Sequence, residues 1–165
     1  TMDLADQYND PGEFTAFIGY EWTSQPGGNN LHRVVVFRGD KASVDPVLPF
    51  SNFDSENVED LWDYMAAYEN DTGGQVLAIP HNGNLSSGMM FAPQYQTDGK
   101  PIDKRYAEAR SRWEPIVEVT QAKGTGEAHP FLSPDDEFAD FEIVDTTNLG
   151  GTAERTTDMI QYEYA

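Results

Sequence analysis

The stretch Gly73–Gln94, GGQVLAIPHNGNLSSGMMFAPQ, constrains the fold more than any other. Val76, Leu77, Ala78 and Ile79 are consecutive apolar residues between a Gly-Gly turn and a proline. A short continuous apolar run bounded by turn signals is the pattern of a buried strand. The strand then ends on Pro80, His81, Asn82, Gly83 and Asn84, none of them a large apolar residue. A core element thus delivers an imidazole and two carboxamides into a Gly- and Ser-rich loop.

Other elements follow from the same rules. FTAFIGYEWT (Phe14–Thr23) follows the turn NDPG and is rich in aromatic residues, so it predicts a strand. LHRVVVFRG (Leu31–Gly39) predicts a second strand, and QPGGNN (Gln25–Asn30) a loop between them. The two strands pair as a hairpin or stand as neighbours. Val58, Leu61, Trp62, Met65 and Tyr68 fall at helical spacing, with Asp54 or Ser55 as the cap and NDTGG as the stop. The strand Gln75–Pro80 comes next.

The segment Asn82–Pro101 has no periodicity, and a connector of that length favours a functional loop, with Met89, Met90 and Phe91 as its packing side. A second helix is predicted from Pro101 to Trp113, stopped by Pro115, and a fourth strand over Ile116–Gln121. SPDDEFADFE (Ser133–Glu142) predicts a short helix with a Ser cap and Asp135, Asp136 and Glu137 in its first turn. The rest, from Ile143, has no clear assignment. Strands alternating with helices predict an α/β fold with several parallel strands, and the length of 165 residues suits a single domain over 1–165.

Charge narrows the partners. Ten Lys and Arg oppose 29 Asp and Glu, a formal net charge of −19. Such a field repels phosphate backbones and anionic lipid, which argues against nucleic-acid and membrane-surface partners and for cation binding. It also tilts the expected compartment toward periplasm or secretion, although no signal peptide opens the chain. With no cysteine, disulfides and thiolate sites are excluded.

In α/β folds ligands sit at the C-terminal ends of strands. That rule selects Glu21 on the first strand, His81 on the third, and Glu118, Gln121 and Lys123 at or near the end of the fourth. His32 begins the second strand; if the first two strands are antiparallel, it lies beside Glu21, and His81 joins from the next strand. Two imidazoles and a carboxylate suit Zn²⁺, Mn²⁺ or Fe²⁺ better than a hard cation. Taken singly, each residue also has a plain reading: a solvated Glu, a hydrogen-bonded His, and Asn82 and Asn84 as turn formers. In KGTGEAHP (Lys123–Pro130) the glycines allow an anion-binding turn with Lys123, yet no P-loop follows. His129 is either functional or a loop histidine bonded to backbone.

The stretches YNDPGEFTAFIGYEWTS, NNLHRVVVFRG, LAIPHNGNLSSGMMF and RWEPIVEVTQAKGTGEAHPFLSPDDEFADFE resemble the DUF3604 family over most of the chain. That family is regarded as a relative of the PHP (polymerase and histidinol phosphatase) superfamily of metal-dependent phosphoesterases. The resemblance implies part of a distorted, PHP-like α/β barrel with a mixed, mostly parallel sheet and metal ions at the strand ends. Residue by residue, Gly19-Tyr20-Glu21 is similar to a Gly-x-Glu ligand motif, His32 to a second-motif histidine, and His81 to a third.

The early His-x-His pair and the late Asp- or Ser-His motif have no counterpart, since no histidine precedes His32 or follows His129. The chain is therefore expected to be an internal piece of a longer protein. Its metal site would be incomplete, and exposed strand edges would invite self-association. The function implied for the longer parent protein is a metal-dependent hydrolase acting on a small phosphate ester, with no catalysis expected from this piece alone. Glu21, His32 and His81 would hold the divalent metal, and Asn82, Asn84, Gln121, Lys123 and His129 would contact substrate. The alternative is a non-catalytic, acidic, secreted or periplasmic ligand-binding module.

Overall fold

A computed structural model describes residues 2–143 and 147–152. The apolar run forms its strand within the predicted bounds. β1 (Ile18–Trp22), β2 (Arg33–Arg38) and β3 (Gln75–Pro80) make one sheet in that spatial order. β1 pairs antiparallel with β2, with Glu21 opposite Val34, and β2 pairs antiparallel with β3, with Arg33 opposite Pro80. A second, two-stranded antiparallel sheet joins β4 (Thr120–Gln121) to β5 (Gly124–Thr125).

This corrects the expected fold class. The domain is a small mixed α/β unit with two antiparallel sheets, neither a partial barrel nor mostly parallel. The reason lies between β2 and β3. A βαβ crossover needs one return traverse by a helix. Here the segment 39–57, irregular apart from the short helix at Lys41–Val44, makes that return. The Ser24 hydroxyl bonds the Glu56 carbonyl at 2.7 Å, placing the start of α3 (Val58–Thr72) near the end of β1. The helix then runs away again, with Tyr68 edge-on to Phe37 at 4.9 Å. β3 must therefore run back, antiparallel to β2. A pattern that counts only helices and strands misses a traverse made by loop.

α3 forms because its apolar residues share one face. Val58, Leu61, Trp62, Met65 and Tyr68 are buried against Ile18, Trp22, Val35, Phe37, Val76 and Ala78 of the sheet. Gly73 ends the helix in the left-handed region at φ 71°, where a side chain would be strained. Its start differs from expectation. Asp54 and Ser55 do not cap it; instead Gln96 accepts from the Val58 N–H at 2.8 Å, and the Gln96 N–H bonds Glu59 at 2.7 Å. The long loop thus supplies the cap across space. Met90 is buried in the core, and Met89 and Phe91 pack on it partly buried.

α4 (Lys104–Trp113) starts later than predicted, capped by Asp103, which accepts from Tyr106 N–H at 3.0 Å. Of the predicted fourth strand, only Thr120–Gln121 is strand; Glu118 N–H reaches the Pro80 carbonyl at 3.0 Å as a single link to β3. The helix predicted at Ser133 is absent. Successive three-residue turns replace it, with Phe138 and Phe141 exposed. With Phe138 and Phe141 left exposed, the acidic segment buries too little apolar surface to offset helix nucleation. α1 (Met2–Tyr8) and α2 (Lys41–Val44) complete the described α-helices, and Pro26–Gly28 and Gly83–Leu85 form single turns of 3-10 helix. None of the described helices is long and apolar enough to cross a membrane.

Only one face of the main sheet is covered by α3. Burial alternates along β3, with Val76, Ala78 and Pro80 buried and Leu77 and Ile79 half-buried, so the apolar run is less enclosed than its composition suggests. Gly19 holds β1 close to β2: a Cβ there would sit 2.6 Å from the Val35 carbonyl oxygen. Gly19→Ala is expected to destabilise the domain by about 1–3 kcal/mol, as overpacking against backbone does. A fall in the urea midpoint measures it; an unchanged midpoint would show that the strands part freely.

Candidate metal centre

Pairing register assembles the centre. Side chains alternate across a strand, so Glu21 points to the face opposite Trp22, away from the core. Because Arg33 pairs with Pro80, His32 stands opposite His81, and the His81 N–H reaches the His32 carbonyl at 3.3 Å. Glu21, His32 and His81 therefore meet at one end of the open face.

One carboxylate oxygen joins the two rings. Glu21 Oε1 lies 3.0 Å from His32 Nδ1 and 3.0 Å from His81 Nε2. The rings stand edge to face, with centroids 5.9 Å apart. The ligand atoms of all three residues lie within 4.8 Å of one another. The histidine side chains are 10% and 14% exposed and Glu21 is 48% exposed, so the centre opens to solvent on the carboxylate side. Burial holds the His32 imidazole below its ordinary pKa, against the opposing pull of Glu21. The ring is neutral at pH 7, the form that ligates metal. The outer ring nitrogens, His32 Nε2 and His81 Nδ1, are buried without a hydrogen-bond partner.

The donor set suits a divalent metal after a small adjustment. Ligand bonds of about 2.0–2.2 Å in tetrahedral geometry place donors roughly 3.3–3.5 Å apart. The two Glu21 contacts at 3.0 Å would open by a few tenths of an ångström, and the two imidazole nitrogens, which lie within 4.8 Å of each other, would set the third edge. Ligating imidazoles ordinarily donate their outer N–H to a carboxylate or carbonyl. No such acceptor for these rings occurs among the described residues.

Two further residues hold the centre together: Asn30, which lies outside the expected set, and Glu118, expected near the end of the fourth strand. Asn30 is fully buried. Its Nδ2 donates to the His81 and Asn82 carbonyls, each at 3.0 Å, and its Oδ1 accepts from His32 N–H at 2.8 Å. It ties the start of β2 to the end of β3. Glu118 Oε2 accepts from Asn82 N–H at 3.0 Å and from Gln121 Nε2 at 2.6 Å. Asn30 belongs to a stretch that composition marks only as loop. Its proximity to His32 in sequence was the one available signal. Asn30→Asp would remove both donors and press a carboxylate against two carbonyls. It is expected to cost at least about 2 kcal/mol at pH 7, read from urea unfolding. A variant as stable as the parent would show that the clamp carries no load.

The residues expected to contact substrate surround the centre in different states. Asn82 adopts a left-handed backbone at φ 56° and is 2% exposed, with both carboxamide atoms buried and unpartnered. Asn84 Nδ2 is engaged with the Lys123 carbonyl at 3.0 Å, and Gln121 with Glu118. Lys123 is close enough for its charge to lower the His32 pKa further. His129 is buried, and its Nδ1 accepts from Phe131 N–H at 3.1 Å. The structure thus sets Asn82 next to His81 in the chain and Lys123 near His32, while Asn84 is linked through the Lys123 carbonyl and Gln121 through Glu118.

No curated protein and no solved structure matches the chain. One family model does, described as "Protein of unknown function (DUF3604)", and it matches residues 1–165. Spanning the whole chain, that match identifies this protein as a member of the DUF3604 family.

Proposed function

We propose that Glu21, His32 and His81 hold a divalent Zn, Mn or Fe ion, and that the protein is a metal-dependent hydrolase of the PHP type acting on small phosphate esters. The single observation behind this reading is the Glu21 carboxylate oxygen at 3.0 Å from a nitrogen of each histidine. Three protein ligands with an open fourth position is the pattern of catalytic zinc; structural sites use four. The half-exposed Glu21 side provides the opening.

When bound, the ion would supply Lewis acidity and a water acidified toward neutral pH. The chain's own residues supply the rest. His32 and His81 are fixed by the pairing of their strands and by the Asn30 clamp. Lys123 brings a local positive charge to a protein of net charge −19, which offsets the general repulsion of an anionic ester. Asn82 has a buried, unpartnered carboxamide beside His81 in the chain, suited to bonding a substrate oxygen.

The test is metal content together with hydrolysis of a panel of phosphate mono- and diesters. The protein as purified, a chelator-treated sample and the variants Glu21→Gln and His81→Ala would be compared. Metal-dependent hydrolysis lost in both variants supports the reading. Full hydrolysis in metal-free protein overturns it, and stoichiometric metal without turnover of any ester would leave a metal-bearing binding module.

A further inference from the structure

On the helix side of the sheet, remote in role from the metal centre, α4 and the segment after it enclose a cleft of about 450 Å³. Its walls are apolar and aromatic, including Phe91, Tyr106, Ile116 and Val117. Two charged side chains line it as well, Arg110 and Glu114. Arg110 Nε and Glu114 Oε2 stand 4.0 Å apart, beyond hydrogen-bond reach. Both atoms are buried and neither has a hydrogen-bond partner.

Neither group is free to turn toward the other. Glu114 Oε1 accepts from Arg33 Nε and from Trp62 Nε1, each at 3.0 Å. Arg110 Nη2 donates to the Met90 carbonyl at 3.2 Å and to the Tyr106 hydroxyl at 2.9 Å. The Arg110 guanidinium also lies over the Phe91 ring at 5.0 Å and the Tyr106 ring at 5.3 Å. The 4.0 Å gap is thus held open by the bonds on either side of it.

We propose that this cleft binds a small apolar alcohol or phenol whose hydroxyl bridges the two groups. The hydroxyl oxygen accepts from Arg110 Nε–H, and the O–H donates to Glu114 Oε2. An oxygen about 2.8 Å from each atom spans a gap of this width. The charge pair selects a neutral head, since Glu114 repels an anion and Arg110 a cation. A water in the same place would have two partners, short of the roughly three that buried waters typically make. It would also leave the aromatic walls uncovered. The volume falls in the range of about 300–1,000 Å³ typical of ligand pockets.

The experiment uses phenol as the probe, with toluene as the isostere lacking the hydroxyl. Binding is followed in ¹H–¹⁵N spectra by the indole N–H of Trp62, which bonds the same carboxylate. Phenol is expected to shift that resonance saturably, with a dissociation constant on the order of 1 mM, the scale of so small a ligand. Toluene should bind at least about 10-fold more weakly, because it leaves both polar atoms unpaired. Ala107 lines the cleft on an exposed position of α4, so Ala107→Leu narrows it without touching the core. That variant should keep the wild-type spectrum and weaken phenol at least about 10-fold. No shift with phenol, equal binding of toluene, or unchanged binding to Ala107→Leu would each overturn the proposal.

Discussion

Glu114→Leu is expected to cost about 3–5 kcal/mol of folding stability, a large part of the 5–15 kcal/mol typical of a domain. The side chains of Arg33 and Glu114 are each 1% exposed, and Arg33 Nε lies 3.0 Å from Glu114 Oε1. Burial pulls the Arg33 pKa down and Glu114 pulls it back up, but a guanidinium stays charged at any ordinary pH. Without Glu114 its charge would be left in the core with one carbonyl bond, to Leu31. Trp62 would lose its acceptor as well.

The double variant Arg33→Met, Glu114→Leu separates the pair from the fold. Replacing both charges by apolar groups of similar size is often neutral or stabilising. In urea unfolding it should recover much of the lost stability, short of the parent by about 1–3 kcal/mol for the Trp62 N–H left without its acceptor. A single variant costing under about 1 kcal/mol would show that water reaches the pair and that it is not a buried ion pair at all. Arg33 follows His32 directly, so a weakened Arg33 would also loosen the strand that carries a ligand candidate.

The second large effect concerns metal. Glu21→Gln and His81→Ala are each expected to lower affinity for Zn²⁺ by at least about 100-fold, beyond the 10–100-fold lost when only an outer-shell partner is removed. Competition with a chromophoric chelator measures it. Glu21→Gln keeps size and one acceptor while removing the charge, and Glu21 is half exposed, so folding stability should change by less than about 0.5 kcal/mol. A loss of affinity at unchanged stability would assign the effect to ligation and not to folding. Zinc affinity equal to the parent in both variants would remove Glu21 and His81 from the ligand set.

Much of this was legible in the chain. The apolar run Val76–Ile79 marked β3 to the residue, because four greasy side chains between Gly-Gly and Pro leave few alternatives. The apolar spacing of Val58, Leu61, Trp62, Met65 and Tyr68 identified α3 and its buried face. Glu21, His32 and His81 were picked out by their places at strand ends, and the structure brings them together. Glu21 and His32 flank the connection between two sequential strands, so local order implied their neighbourhood, whereas His81 joins through the pairing of β2 with β3.

What failed did so where sequence neighbourhood and spatial neighbourhood part. The parallel sheet was expected because segment 39–57, which crosses the domain with only the four-residue α2 as regular structure, carries no periodic signal. Asn30 and Gln96 looked like loop residues, yet one clamps both histidine-bearing strands and the other caps α3. Arg33 and Glu114 meet across 81 positions of chain.

By itself the sequence determined which residues are apolar enough to make β3 and α3, which side chains can ligate metal, and a net charge of −19. The tertiary structure decided the direction of β3, the pairing register that sets His32 opposite His81, and the partners of each buried polar group. Periodicity and residue chemistry are local and survive in a linear string. Strand direction and hydrogen-bond pairing depend on where a loop lets the chain return.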